Sequence, residues 1–148
     1  MPGVPQVTQG GPKTFVPADN AFVRGGRLVE AVAGGRIQEA GAASTKVLGV
    51  ALTDAIAPED VNTTTTTDAQ GRPVTPLYSL PTSVAVAYGG TEVPVTYAAD
   101  AAFGDLLIAA AAGTVTPGAV AGQIVGRCTE PLGVTVATNP VGLARITV

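Results

Sequence analysis

The chain has no histidine and no tryptophan, one cysteine, one methionine and only six aromatic residues, three Phe and three Tyr. Without histidine, Ser-His and Cys-His nucleophilic sites and histidine-based zinc centres are excluded. The single cysteine, Cys128, excludes Cys-rich zinc and iron–sulfur sites and any internal disulfide. It falls in the apolar run Ile124-Val125-Gly126-Arg127-Cys128 and reads as a small core residue. A glycosidase carboxylate pair needs aromatic sugar platforms, and so few aromatics supply none. Charge is scarce too: 13% of residues are charged, and the net charge is −3. That balance disfavours nucleic acid and anionic membranes as partners. The longest apolar run, Leu106 to Ala112, is far short of the roughly 20 residues that span a bilayer. The N-terminus lacks a basic segment followed by an apolar run, so synthesis in the cytoplasm is expected.

What is abundant points to strands. The chain of 148 residues holds 25 Ala, 21 Val, 19 Thr, 19 Gly and 12 Pro. Val and Thr favour pleated, half-buried surfaces, and Gly with Pro makes turns and breaks helices. The length suits one domain with a real core. The fold class expected is all-β, a small β-sandwich or barrel. Strands are predicted near 13–16, 27–32, 46–53, 83–88, 92–97, 105–111, 123–129, 133–137 and 143–148. In Glu92-Val93-Pro94-Val95-Thr96-Tyr97 the apolar residues share one face, and Pro94 demands an edge or a bulge. Tyr88-Gly89-Gly90-Thr91 looks like a hairpin turn between two runs.

Two segments stand apart from the β domain of residues 13–148. Residues 1–12 carry Pro2, Pro5, Pro12 and the Gly10-Gly11 pair, which predict an extended arm. Val4, Pro5 and Val7 are the anchors such an arm would lay on another chain. Residues 54–76 form a long polar loop containing Thr63–Thr67, with one helical turn expected after Pro58.

The chain also repeats itself. Gly26, Leu28, Gly35 and Ile37 recur as Gly104, Leu106, Gly113 and Val115 at a constant offset of 78, and Gly49 recurs as Gly126 at 77. The unit is a turn glycine, a strand, a hairpin glycine, a return strand and a glycine within a further strand. Two copies predict pseudo-symmetric halves.

No reaction centre emerges. Gly11-Pro12-Lys13-Thr14 lacks the glycine and spacing of a phosphate loop. Asp54, Asp60 and Asp68 do not match a calcium-loop spacing, and Arg24-Gly25-Gly26-Arg27 reads as a bend with two solvent-facing arginines. The expectation is a protein without catalytic residues, metal or cofactor.

The string Phe22 to Ala55, with its Gly26-Arg27-Leu28-Val29 and Val47-Leu48-Gly49-Val50-Ala51 segments, resembles the capsid cement (head decoration) proteins of tailed bacteriophages. Phe103-Gly104-Asp105-Leu106-Leu107 and Gln123-Ile124-Val125-Gly126 carry the same pattern, and the resemblance covers residues 20–148. It implies an all-β, often trimeric protein on the outer surface of the virion, at three-fold positions. There it would bridge major capsid proteins and stiffen the shell. The partners implied are the major capsid protein and the protein itself as a homotrimer. Val4, Pro5, Val7, Phe15, Arg127 and Arg145 are the candidate capsid contacts. The rival reading is a receptor- or glycan-binding module of a phage fibre or tip.

Overall fold

The computed structural model describes residues 11–61, 66–74, 80–119 and 123–148, and these are almost wholly strand and turn. In the first half the strands are β1 (Lys13–Phe15), β2 (Phe22–Val23), β3 (Leu28–Val32), β4 (Arg36–Glu39), β5 (Val47–Ala51), β6 (Ala55–Ile56), β7 (Thr66–Thr67), β8 (Pro73–Val74) and β9 (Val84–Ala87). The second half has β10 (Glu92–Thr96), β11 (Leu106–Ala109), β12 (Val115–Pro117), β13 (Ile124–Cys128) and β14 (Val141–Ile146). One antiparallel sheet runs β1-β9-β5-β3-β4 and a second runs β10-β14-β13-β11-β12; β2 pairs with β6, and β7 with β8.

The two sheet orders are the same path followed twice. Leu28 pairs with Val50 as Leu106 pairs with Arg127, and Val50 faces Ala87 as Arg127 faces Arg145. The turn bonds repeat as well. The amide of Gly26 donates to Ala51 and that of Gly104 to Cys128, both at 2.8 Å; Ala18 donates to Ile37 and Ala98 to Val115, again both at 2.8 Å. The sequence echo is therefore a structural repeat. Between β5 and β9 the offset falls from 77 (Gly49 to Gly126) to 58 (Val86 to Ala144), so the first unit carries 19 more residues there. The Thr-rich segment lies within that insertion.

Each unit has a bulge at its glycine. β3 meets Gly49 and then Val47, skipping Leu48; β11 meets Gly126 and then Ile124, skipping Val125. At both glycines a Cβ would run into the backbone carbonyl of the neighbouring strand, Ala87 or Arg145. A side chain there would push the ladder apart, which is why glycine recurs inside these strands.

Successive residues of β3 enter different cores. Leu28 belongs to the larger one, with Ala40, Val47, Val50 and Ala87 of the first unit and Val93, Val95, Tyr97, Leu107, Val125 and Ile146 of the second. Val29 belongs to a smaller one with Val23, Ile37, Ala51, Ala55, Val84 and Val86. The layers are thus small core, first sheet, large core, second sheet. On the outer face of the second sheet Ile124, Arg127 and Arg145 are exposed and Leu106 is half-buried. Tyr97 is buried in the large core, where its hydroxyl donates to the Leu143 carbonyl at 3.0 Å. Burial, with the Cys128 thiol alongside, raises its pKa well above the usual phenol value.

Several expectations meet the structure directly. Pro94 sits on β10, an edge strand, and Cys128 is buried in the large core. Pro58–Asp60 forms a single 3-10 turn. Gly89 and Gly90 take the positive φ values of the expected turn, yet β9 and β10 do not pair: the turn carries the chain from one sheet to the other. Residues 133–137 form no strand. Val134 makes an isolated bridge to Ala101, the counterpart of the β2–β6 pairing. The bend at 24–27 does not present two free arginines either. Arg24 closes a two-pronged pair with Glu39 at 2.8 and 2.7 Å, and Arg27 donates to the Ala112 carbonyl at 3.1 Å.

Gly49→Ala and Gly126→Ala are each expected to lower the melting temperature by roughly 5–10 °C, the cost of overpacking a sheet interior in a chain of this size. Gly41→Ala, at a position with no atom within 4 Å of a new Cβ, should shift it by no more than about 1 °C. Calorimetry of the three variants checks this, and equal behaviour would show that the bulges tolerate side chains.

Candidate interaction surfaces

The residues singled out in the sequence do not converge. Val4, Pro5 and Val7 lie outside the described residues. Phe15 sits on β1, half-buried against the small core, with the Lys13 ammonium 5.7 Å from its ring centroid. Arg127 and Arg145 stand opposite one another on β13 and β14. Their face is the outer one of the second sheet, so two sheets and the large core separate them from Phe15.

The repeat explains what surrounds each. Lys13, Phe15, Leu48 and Tyr88 line a cleft of about 300 Å³. By register they are the counterparts of Val93, Val95, Val125 and Ile146, which are buried because the first unit covers them. Among the described residues no second sheet packs on the same place of the first unit, so the same pattern leaves an open, half-apolar cleft.

The outer face of the second sheet shows the complementary case. Leu28, Val47, Val50 and Ala87 are buried against the second unit, whereas their counterparts Leu106, Ile124, Arg127 and Arg145 meet solvent. Two of the four have become arginine. The Arg145 guanidinium lies 3.8 Å from Glu92, too far for a hydrogen bond, and its side chain is 61% exposed.

A third surface escaped the sequence reading. Phe103 is 65% exposed and Leu132 98% exposed, and both line a shallow cavity of about 440 Å³ with Asp100, Pro131 and Thr135. Phe103 opens the Phe103–Leu107 pattern of the sequence, which carries no sign of its exposure. Phe103 precedes Gly104 and Leu132 precedes Gly133, both glycines at positive φ, in turns that no periodicity reports.

Several of the acids are occupied with structure. Glu59 accepts two hydrogen bonds from Arg36, at 2.8 and 2.6 Å, and these hold its pKa down at about 2. Burial pushes the Glu30 carboxyl up, but hydrogen bonds from Ser44 and Gln38 outweigh it and leave the pKa lowered. Asp54 accepts from the Gly25 amide, and Asp68 from the amides of Gln70 and Arg72. Among the described residues no group of three or more Cys, Asp or Glu is placed to hold a metal ion. The arrangement offers contact surfaces of mixed character.

No protein-family model matches the sequence, and no curated protein matches it. Among solved structures the chain is similar to the head fiber gp8.5 N base in bacteriophage phi29, with a TM-score of 0.56 and 16% identity, over 93% of this chain and 95% of that one. The likeness spans both repeat units and establishes the small all-β fold.

The Arg36–Glu59 pair sets a pH dependence. A depressed carboxyl pKa stabilises the folded state above its ordinary value of 4.5, and that contribution is lost as pH falls towards 2. Glu59→Gln should therefore melt slightly below the wild type at pH 6 and together with it near pH 2. The exposure of the pair keeps the difference small. Thermal melts at the two pH values check it, and a difference that persists at pH 2 would contradict it.

Proposed function

We propose that this protein is a structural component of a tailed-phage head, a decoration or cement protein that binds the outer surface of the shell. In this reading it assembles as a homotrimer at three-fold positions and bridges neighbouring major capsid proteins. The observation that carries the reading is the fold likeness to a phage head-fiber base along nearly the whole of both chains. The sequence resemblance to cement proteins supports it independently. So does the surface: two faces that the repeat leaves uncovered, an exposed Phe103–Leu132 pair, and acids engaged in hydrogen bonds.

Decoration asks for many shallow contacts whose affinities combine through multivalency, and a trimer provides them. The contacts proposed are Val4, Pro5 and Val7 of the arm, Phe15, and the pair Arg127 and Arg145. An extended segment of residues 1–12 reaches at most about 40 Å. Stacked sheets lie about 10 Å apart, so an arm starting beside Phe15 is long enough to reach past the layers to the arginine face. The similar structure is the base of a fiber, and this favours a second reading, in which the protein anchors a longer projection on the head.

Deleting residues 1–12 is expected to leave the melting temperature within about 2 °C of the full chain and to weaken co-sedimentation with expanded heads at least tenfold. Unchanged co-sedimentation would remove the arm from the mechanism. Failure of the full chain to bind heads would remove the decoration reading. Selective binding to a glycan array would favour the receptor-binding alternative.

A further inference from the structure

The outer face of the second sheet carries an unusual pair. Arg127 and Arg145 are register partners on adjacent antiparallel strands. Like charges directly opposite one another in a sheet are destabilising. The other four arginines are engaged: Arg24 with Glu39, Arg36 with Glu59, Arg72 with Asp68, and Arg27 with the Ala112 carbonyl. Among the described residues, the Arg127 guanidinium donates no hydrogen bond, and that of Arg145 only approaches Glu92, at 3.8 Å. Two exposed arginine side chains thus stem from register partners, with ten donors between them and little to accept from either.

The repeat shows what this position is for in the other unit. Val50 and Ala87, the counterparts of the two arginines, lie in the interface between the sheets. The corresponding face of the second unit keeps apolar flanks, Leu106 and the 40%-exposed Ile124, around a cationic centre. An apolar sheet cannot cover it without desolvating two charges. A second copy stacked head to tail would bring the cleft of its first unit, with Lys13, against the same pair and add a third cation. The occupant that fits is anionic.

We propose that Arg127 and Arg145 form a clamp for carboxylates on an acidic protein surface, the contact through which the second sheet docks. The proposal rests on the decoration reading for the partner's identity and on this geometry for its chemistry. Opposed residues in an antiparallel pair have Cα atoms about 4.5–5.5 Å apart, so both planar forks reach one carboxylate or two adjacent ones. A protein carboxylate suits the face better than a polyanion does. The apolar flanks Leu106 and Ile124 suit a protein interface with arginine anchors at its centre, and a phosphate or sulfate polymer has no apolar surface to set against them.

The test uses the full chain, a glutamate-rich peptide and heparin, with backbone amide NMR as the readout. The peptide should shift the amides of β13 and β14 with millimolar saturation. The shifts should vanish in Arg127→Glu/Arg145→Glu and weaken about threefold to tenfold in Arg127→Lys/Arg145→Lys, which keeps the charge and loses the fork. The glutamate variant keeps an opposed like-charged pair and sets it beside Glu92, so it should remain folded but melt a few degrees below the wild type, whereas Arg127→Gln/Arg145→Gln, which removes the repulsion, should melt no lower than the wild type and lose the shifts as well. Absence of shifts, shifts away from these strands, or stronger binding of heparin than of the peptide would overturn the clamp. Co-sedimentation with expanded heads separates the two claims. Heads that bind the wild type and the glutamate variant equally overturn the clamp and leave the decoration reading intact. Peptide shifts at β13 and β14 without head binding support the clamp and remove that reading.

Discussion

The structure depends on one contact: the face of the first sheet formed by Leu28, Val47, Val50 and Ala87 packed on the face of the second formed by Val93, Val95, Val125 and Ile146. Among the described residues neither five-stranded sheet has an α-helix to cover it, and an isolated sheet with one apolar face has no stable solution in water. Stacking one unit on the next solves this for both. The burial of apolar area, at roughly 25 cal/mol per Å², is then the main term holding the halves together. Gly113 marks how close the approach is. A Cβ there would lie 2.5 Å from the Leu28 carbonyl, whereas its counterpart Gly35 has nothing within 4 Å.

A stack of two necessarily has two ends, and the ends differ. One presents Phe15, Leu48 and Tyr88 around a cleft, and the other presents arginines where the first unit has Val50 and Ala87. Polar replacement on a terminal face is the usual way repeat proteins stop stacking and stay soluble. Here the same replacement creates a chemically distinct surface. The pattern that builds the core therefore also decides where contact residues can stand, because only positions released from the inter-unit interface are free to change.

Elsewhere the charges serve the loops. The Arg24–Glu39 and Arg36–Glu59 pairs tie the segments before and after β3 to their neighbours, and the Asp54 and Asp68 carboxylates cap turns. Such partly exposed pairs add little to global stability. Their effect is local: they fix the outline of the molecule, so its surface properties are carried by a small set of residues outside these networks.

The sequence by itself determined the class, the repeat and most long strands. Val and Thr content, the alternation of 92–97 and the glycine offsets each follow from local rules that survive folding. It also determined the arginines as residues, but not their opposition, since pairing Arg127 with Arg145 depends on the register of β13 against β14. Only the tertiary structure decided that the Tyr88–Thr91 turn crosses between sheets, that residues 133–137 give one bridge in place of a strand, and that Phe103 and Leu132 stand exposed. The physical reason is the same in each case. A strand's partners, and which of its two faces is covered, are set by non-local packing, and a short apolar run reads alike in the core and at the end of the stack.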